Sequence, residues 1–114
     1  MSDPDVLVAC LCAQWCGVCR SYTDVFAQVA TRFPSFRFVW IDVEDQAELI
    51  DPIEVDDFPT LLIVVGAEPG FFGPLTPQPQ MLERIVRERS LSPDATLASR
   101  VDLRDLVARL QAAR

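Results

Sequence analysis

Val6-Leu7-Val8-Ala9-Cys10-Leu11-Cys12 runs through Ala13-Gln14 into Trp15-Cys16-Gly17-Val18-Cys19-Arg20. The first seven residues are short, almost wholly apolar and partly β-branched, which reads as a buried strand. From Cys16 to about Arg32 the apolar residues Val18, Tyr22, Val25, Phe26, Val29, Ala30 and Phe33 recur at three- and four-residue spacing. That reads as a helix, ended by Pro34. Cys16 therefore falls at a strand-to-helix junction. The unpaired N–H groups of a helix start carry partial positive charge, which favours an anionic sulfur there. Only a thiolate attacks disulfides. Cys19 follows one helical turn later, within reach of Cys16. Such a pair can close a disulfide, open it and pass electrons to another protein.

The remaining elements follow in order. Phe36 to Val43 reads as a second strand, with Phe38 and Trp40 on one face and Arg37, Val39 and Ile41 on the other. Glu44 to Val55 is expected to hold a short helix, broken near Pro52. Thr60 to Val65 is a third strand, Gly66 to Gly70 a turn, and Phe71-Phe72 the start of a short fourth strand. Thr76 or Gln78 caps a helix running to about Arg89. The order β-α-β-α-β-β-α makes the first two strands parallel and the last two an antiparallel hairpin. After Ser92-Pro93, a tail carries Leu97, Val101, Leu103, Leu106, Val107 and Leu110, helical in period from Leu103 onward. It either covers the sheet or docks a partner or a second copy of the chain.

The chain has 114 residues, which suits one domain, and half of them are apolar. Its net charge is −7, with ten arginines, no lysine and no histidine. Histidine catalysis, a Cys–His dyad and a histidine metal site are excluded. The acidic balance argues against nucleic acid or anionic lipid as partners. Asp42, Glu44, Asp45, Glu48, Asp51, Glu54, Asp56 and Asp57 form a run free of basic residues. It is either a solvated face or a surface that selects basic partners. Met1-Ser2-Asp3-Pro4-Asp5 is acidic where a signal peptide is basic, and the apolar runs are too short to span a membrane. A cytoplasmic location is the expectation, and its reducing poise suits free thiols.

The Trp-Cys-Gly-Val-Cys motif resembles that of the thioredoxin family, the usual reading of C-x-x-C beside a βαβ pattern. Phe58-Pro59-Thr60 resembles that family's cis-proline before a central strand. Phe72-Gly73-Pro74-Leu75-Thr76 resembles its glycine-containing substrate loop. The resemblance covers about residues 5 to 90. It implies an α/β thioredoxin-like three-layer sandwich around a mixed four-stranded sheet. Residues 1–90 would form the core and 91–114 a C-terminal helical extension on the same domain. The family's leading strand and helix are expected to be missing.

The same resemblance implies a thiol–disulfide oxidoreductase, a protein disulfide reductase working through a Cys16–Cys19 dithiol/disulfide. Cys16 would be the nucleophile and Cys19 the resolving thiol. Trp15, Gly17, Phe58, Pro59, Phe72 and Gly73, with Pro74, would form the groove for extended, disulfide-bearing protein substrates. An electron-donor reductase or small thiol would restore the dithiol, and no cofactor is required. The alternative is a binding or regulatory module on the same fold with weak or no redox turnover. Cys10 and Cys12 alternate with Leu11 and face one side of the strand. Cys10 stands where thioredoxin has a buried Asp beneath the resolving cysteine. Three readings stay open for the strand pair: small core hydrophobes, an auxiliary thiol that relays a disulfide, or part of a four-cysteine metal site.

Overall fold

β1 (Val6–Cys12) is one of two inner strands of a sheet ordered β2-β1-β3-β4. The protein is seen in a computed structural model that describes residues 5–13, 16–51, 53, 55, 57–76 and 78–112. Along the chain follow α1 (Gly17–Ala30), β2 (Arg37–Asp42), α2 (Ala47–Ile50), β3 (Thr60–Val65), β4 (Glu68–Pro74) and α3 (Pro79–Leu91). A 3₁₀ turn at Ala95–Ser99 and α4 (Val101–Ala112) complete it. β1 pairs parallel with β2, placing Cys10 beside Trp40 and Cys12 beside Asp42. β3 runs antiparallel to both β1 and β4.

Alternation along the strands divides the core in two. On one face Val6, Val8, Cys10, Cys12, Leu61 and Ile63 meet Cys19, Tyr22, Phe26 and Val29 of α1 and Leu82 and Val86 of α3. On the other, Ala9, Leu11, Ile41, Leu62 and Val64 meet Ile50 of α2 and Leu103, Leu106, Val107 and Leu110 of α4. The result is helices, sheet, helices: the mixed four-stranded, three-layer architecture expected from the sequence. Arg109 of α4 donates to the carbonyls of Leu49 at 2.8 Å and Asp51 at 3.1 Å, fixing α2 against α4. Gln111 donates to the Gly66 carbonyl at 2.9 Å, so α4 also holds the β3–β4 turn.

β1 and β3 have the bounds the sequence implies, but several other elements differ. β4 begins at Glu68 rather than Phe71, because the turn is confined to Gly66-Ala67. Gly66 has φ 65°, the positive value a tight two-residue hairpin turn demands of its first central residue. The short helix expected within 44–55 occupies only Ala47–Ile50, and Pro52 lies outside the described residues. The 3₁₀ turn is not announced by any hydrophobic period in the sequence. Asp94 starts it, accepting from the Thr96 amide at 3.1 Å and hydroxyl at 2.6 Å. The Asp94 amide in turn donates to the Gly70 carbonyl of β4 at 2.9 Å.

Candidate redox site

Cys16 occupies the N-cap of α1 in extended conformation, and its side chain makes no capping bond. Its N–H donates to the Ala13 carbonyl at 3.0 Å, and its carbonyl accepts from Arg20 N at 3.1 Å. No acidic residue stands in the first turn. The side chain is half-buried and packs against the core face that holds Cys19. Cys19 is the third helical residue and only 1 % exposed. The junction thus presents one sulfur toward solvent and draws the next inside.

Cys19 is bonded to Cys12, whose Cα lies 5.8 Å away, while Cys10 and Cys16 are free thiols. The expected Cys16–Cys19 bridge is therefore not the one this structure holds. The physical reason is the register of strand against helix. Cys12 ends β1 on the face that α1 covers, and Cys19 is the first α1 residue buried on that face. Their Cα separation lies in the usual disulfide range. Cys10, two residues earlier on the same face, brings its Sγ to 3.9 Å from that of Cys12. Burial pushes the Cys10 thiol up to about 12 from 9.0, so it remains protonated. Cys12, bonded to Cys19, carries no hydrogen, so the S–H between these two sulfurs is that of Cys10.

The peptide bond between Phe58 and Pro59 is cis. Pro59 is buried, and its carbonyl accepts from Leu75 N at 3.1 Å, tying the turn to the end of β4. Phe58 packs against the same core face as Cys16, so this turn and the thiol share one side of the sheet. Gly73 pairs with Leu61, and a Cβ on it would stand 3.5 Å from the Phe71 ring, on that same side. Gly17 is exposed, and a Cβ there would meet only Arg20 Nη2, at 3.7 Å. Trp15 lies outside the described residues.

Phe72 departs from the expected groove. It pairs with Leu62, packs on the α4 face, and has the Arg100 guanidinium 5.6 Å from its ring centre. The sheet stands between it and the cysteines. Its neighbour Phe71 faces the cysteine side instead. The cysteine that the sequence leaves open among several readings and the structure joins to Cys19 is Cys12. Two signals pointed to it: its shared face with Cys10, and the inward position of Cys19 on the helix that follows.

A mixed sheet whose inner strand leads to a cysteine at a helix start, with a cis-proline turn on the same face, defines a thioredoxin-like α/β protein. A family model for thioredoxin matches residues 1–76. The chain belongs to the thioredoxin family. It is 38 % identical over 64 residues to an H-type thioredoxin of Oryza sativa subsp. indica, covering 55 % of this chain and 52 % of that protein. The chain spans about half the length of such curated relatives. The thioredoxin of Fasciola hepatica superposes with a TM-score of 0.68 at 21 % identity, over 76 % of this chain and 83 % of that one; this likeness concerns the fold. The thioredoxin of Trypanosoma brucei brucei gives 0.65 at 26 % identity, over 77 % of each chain. Among the described residues no helix is long and apolar enough to cross a membrane.

Proposed function

We infer that the chain is a thiol–disulfide oxidoreductase that reduces disulfides in other proteins. One observation carries this reading: half-buried Cys16 at the N-cap of α1, with Cys19 buried one turn on. In the reduced chain the Cys16 thiolate attacks one sulfur of a substrate disulfide. A mixed disulfide forms and the other substrate sulfur leaves as a thiolate, which takes a proton. Cys19, as thiolate, then attacks the Cys16 sulfur and expels the second substrate thiolate. The chain is left with one disulfide, and a dithiol reductase or small thiol returns the two electrons and two protons.

Trp15, Gly17, Phe58, Pro59 and Gly73 form the proposed contact surface for an extended substrate segment. The exposure of Gly17 supports it: among the described residues a Cβ there would meet only the end of the Arg20 side chain, at ordinary contact distance. A cytoplasmic setting fits, since its poise keeps such thiols reduced. Residues 91–114 act as an extension of the 1–90 core rather than as a separate module.

A second reading, a binding module with little turnover, is favoured by one fact: Cys19 is held by Cys12. Insulin reduction with dithiothreitol as electron donor decides between them. The parent chain accelerates insulin precipitation, and Cys16→Ser abolishes the acceleration. An inactive parent, or activity that survives Cys16→Ser, overturns the oxidoreductase reading.

A further inference from the structure

We propose that Cys12 is a third member of the redox centre, the thiol that takes Cys19 over from Cys16 and holds the oxidised state inside the core. The proposal rests on the oxidoreductase reading above and assigns a further residue to that site.

The geometry supplies the parts. Cys19 is the shared sulfur: Cys16 precedes it by one helical turn, and Cys12 is bonded to it from the strand beneath. Cys12 and Cys19 are shut off from solvent, at 0 % and 1 % exposure, whereas Cys16 remains partly open. Substrate therefore meets Cys16, and the strand thiol is reached only through Cys19.

The transfer is an internal exchange. After substrate leaves, the chain holds Cys16–Cys19. The Cys12 thiolate attacks the Cys19 sulfur, the Cys12–Cys19 bond forms, the Cys16–Cys19 bond breaks, and Cys16 departs as thiolate. The proton given up by Cys12 goes to Cys16. No electron enters or leaves, so no outside oxidant is needed. The reverse step, with Cys16 attacking Cys19, expels Cys12 as a thiolate beside the protonated Cys10 sulfur at 3.9 Å. That S–H points a hydrogen-bond donor at the leaving sulfur.

The consequence is a distinct oxidised form. It keeps a free thiol at Cys16 while its resolving thiol is occupied. Such a chain can capture a second disulfide-bearing protein as a mixed disulfide, but it has no resolving thiol to complete that protein's reduction until Cys19 is reduced. The usual pairing would instead leave the oxidised chain with no accessible thiol.

The experiment oxidises the intact reduced chain with one equivalent of diamide. It then blocks free thiols with N-ethylmaleimide before unfolding and maps the linked peptides by mass spectrometry. The expected result is Cys12 linked to Cys19 in most molecules, with the label on Cys16. Cys16 linked to Cys19 with Cys12 unlinked overturns the proposal. In a Cys12→Val variant the oxidised chain should pair Cys16 with Cys19 and lose the fast-labelled thiol; retention of that label overturns the proposal too. Mapping of the parent chain decides the question even where this variant fails to fold. The mapping requires no turnover, so the two readings fail separately. A chain that reduces insulin yet maps only Cys16–Cys19 overturns the role of Cys12 alone. A chain that maps Cys12–Cys19 but leaves insulin intact overturns the oxidoreductase reading, and with it the catalytic use of the bridge.

Discussion

The Sγ of Cys10 lies 3.9 Å from the Sγ of Cys12, on the β1 face that α1 covers, and neither side chain is exposed to solvent. Cys10 is a free thiol whose ionisation burial pushes up to about 12. Native chain treated with iodoacetamide should be alkylated at Cys16 and not at Cys10, and Cys10 should react once denaturant is added. Labelling of Cys10 in folded chain would refute its enclosure.

The same shift has a sign in stability. Below pH 9.0 the thiol is protonated whether the chain is folded or not, so it imposes no penalty. Between that value and about 12 the unfolded chain loses the proton and the folded chain keeps it, which draws the equilibrium toward unfolding. Urea midpoints should therefore fall as pH rises through this window. Cys10→Ala should show a shallower fall than the parent, whatever its stability at neutral pH; equal slopes would contradict the assignment.

Tyr22 is the single tyrosine of the chain, is 1 % exposed, and its hydroxyl finds no hydrogen-bond partner among the described residues. Burial, with a further contribution from Cys10, moves its ionisation well above the ordinary value of 10.0. Ultraviolet titration reports this residue alone, and phenolate should appear only above that value while the chain stays folded. Leaving a buried hydroxyl unpaired costs about 1–3 kcal/mol, so Tyr22→Phe should hold or raise stability by up to that amount. A clear loss of stability in urea unfolding would mean that the hydroxyl has a partner.

Leu106 of α4 is fully buried against the second face of the sheet. Leu106→Ala should lower stability by about 2–5 kcal/mol, the usual range for emptying such a site. If α4 were a detachable docking element, the same change would move the urea midpoint little. Chemical denaturation followed by far-ultraviolet circular dichroism distinguishes the two.

Arg109 joins α4 to the Leu49 and Asp51 carbonyls. Arg109→Ala should cost about 1–3 kcal/mol, since the lost hydrogen bonds come from a charged donor and part of the interaction is shielded from water. Hydrogen exchange should quicken first at the Ile50 and Asp51 amides, which α2 itself protects. Unchanged exchange in α2 would show that its position does not depend on Arg109.

Much of this was legible in the chain. Val6–Cys12 and Thr60–Val65 declare themselves because an inner strand is apolar on both sides, and the turn-forming residues around them mark their ends. The division of Phe38 and Trp40 from Val39 and Ile41 follows from alternation alone, and the two core faces keep it. Phe71 and Phe72 show the limit of that rule. Adjacent strand residues must face opposite ways, but the pattern does not say which of two phenylalanines faces the cysteines; the register with Ile63 and Leu62 settles it. The partner of Cys19 was hidden for a similar reason. Sequence spacing measures distance along a helix, whereas Cys12 reaches Cys19 across the interface between strand and helix. The turn at Ala95–Ser99 leaves no such mark, because a five-residue 3₁₀ segment is too short to establish a hydrophobic period.

The bond from the Asp94 amide to the Gly70 carbonyl has a bearing on how this molecule lives among its own copies. β4 is a margin of the sheet, where unpaired backbone groups ordinarily invite a foreign strand to add itself. Here Asp94 already occupies one such group, and Pro69 and Pro74 offer no N–H at all. Crowded molecules would find that border a poorer template for lateral growth, an obstacle to fibre formation built in part from the segment that links α3 to α4.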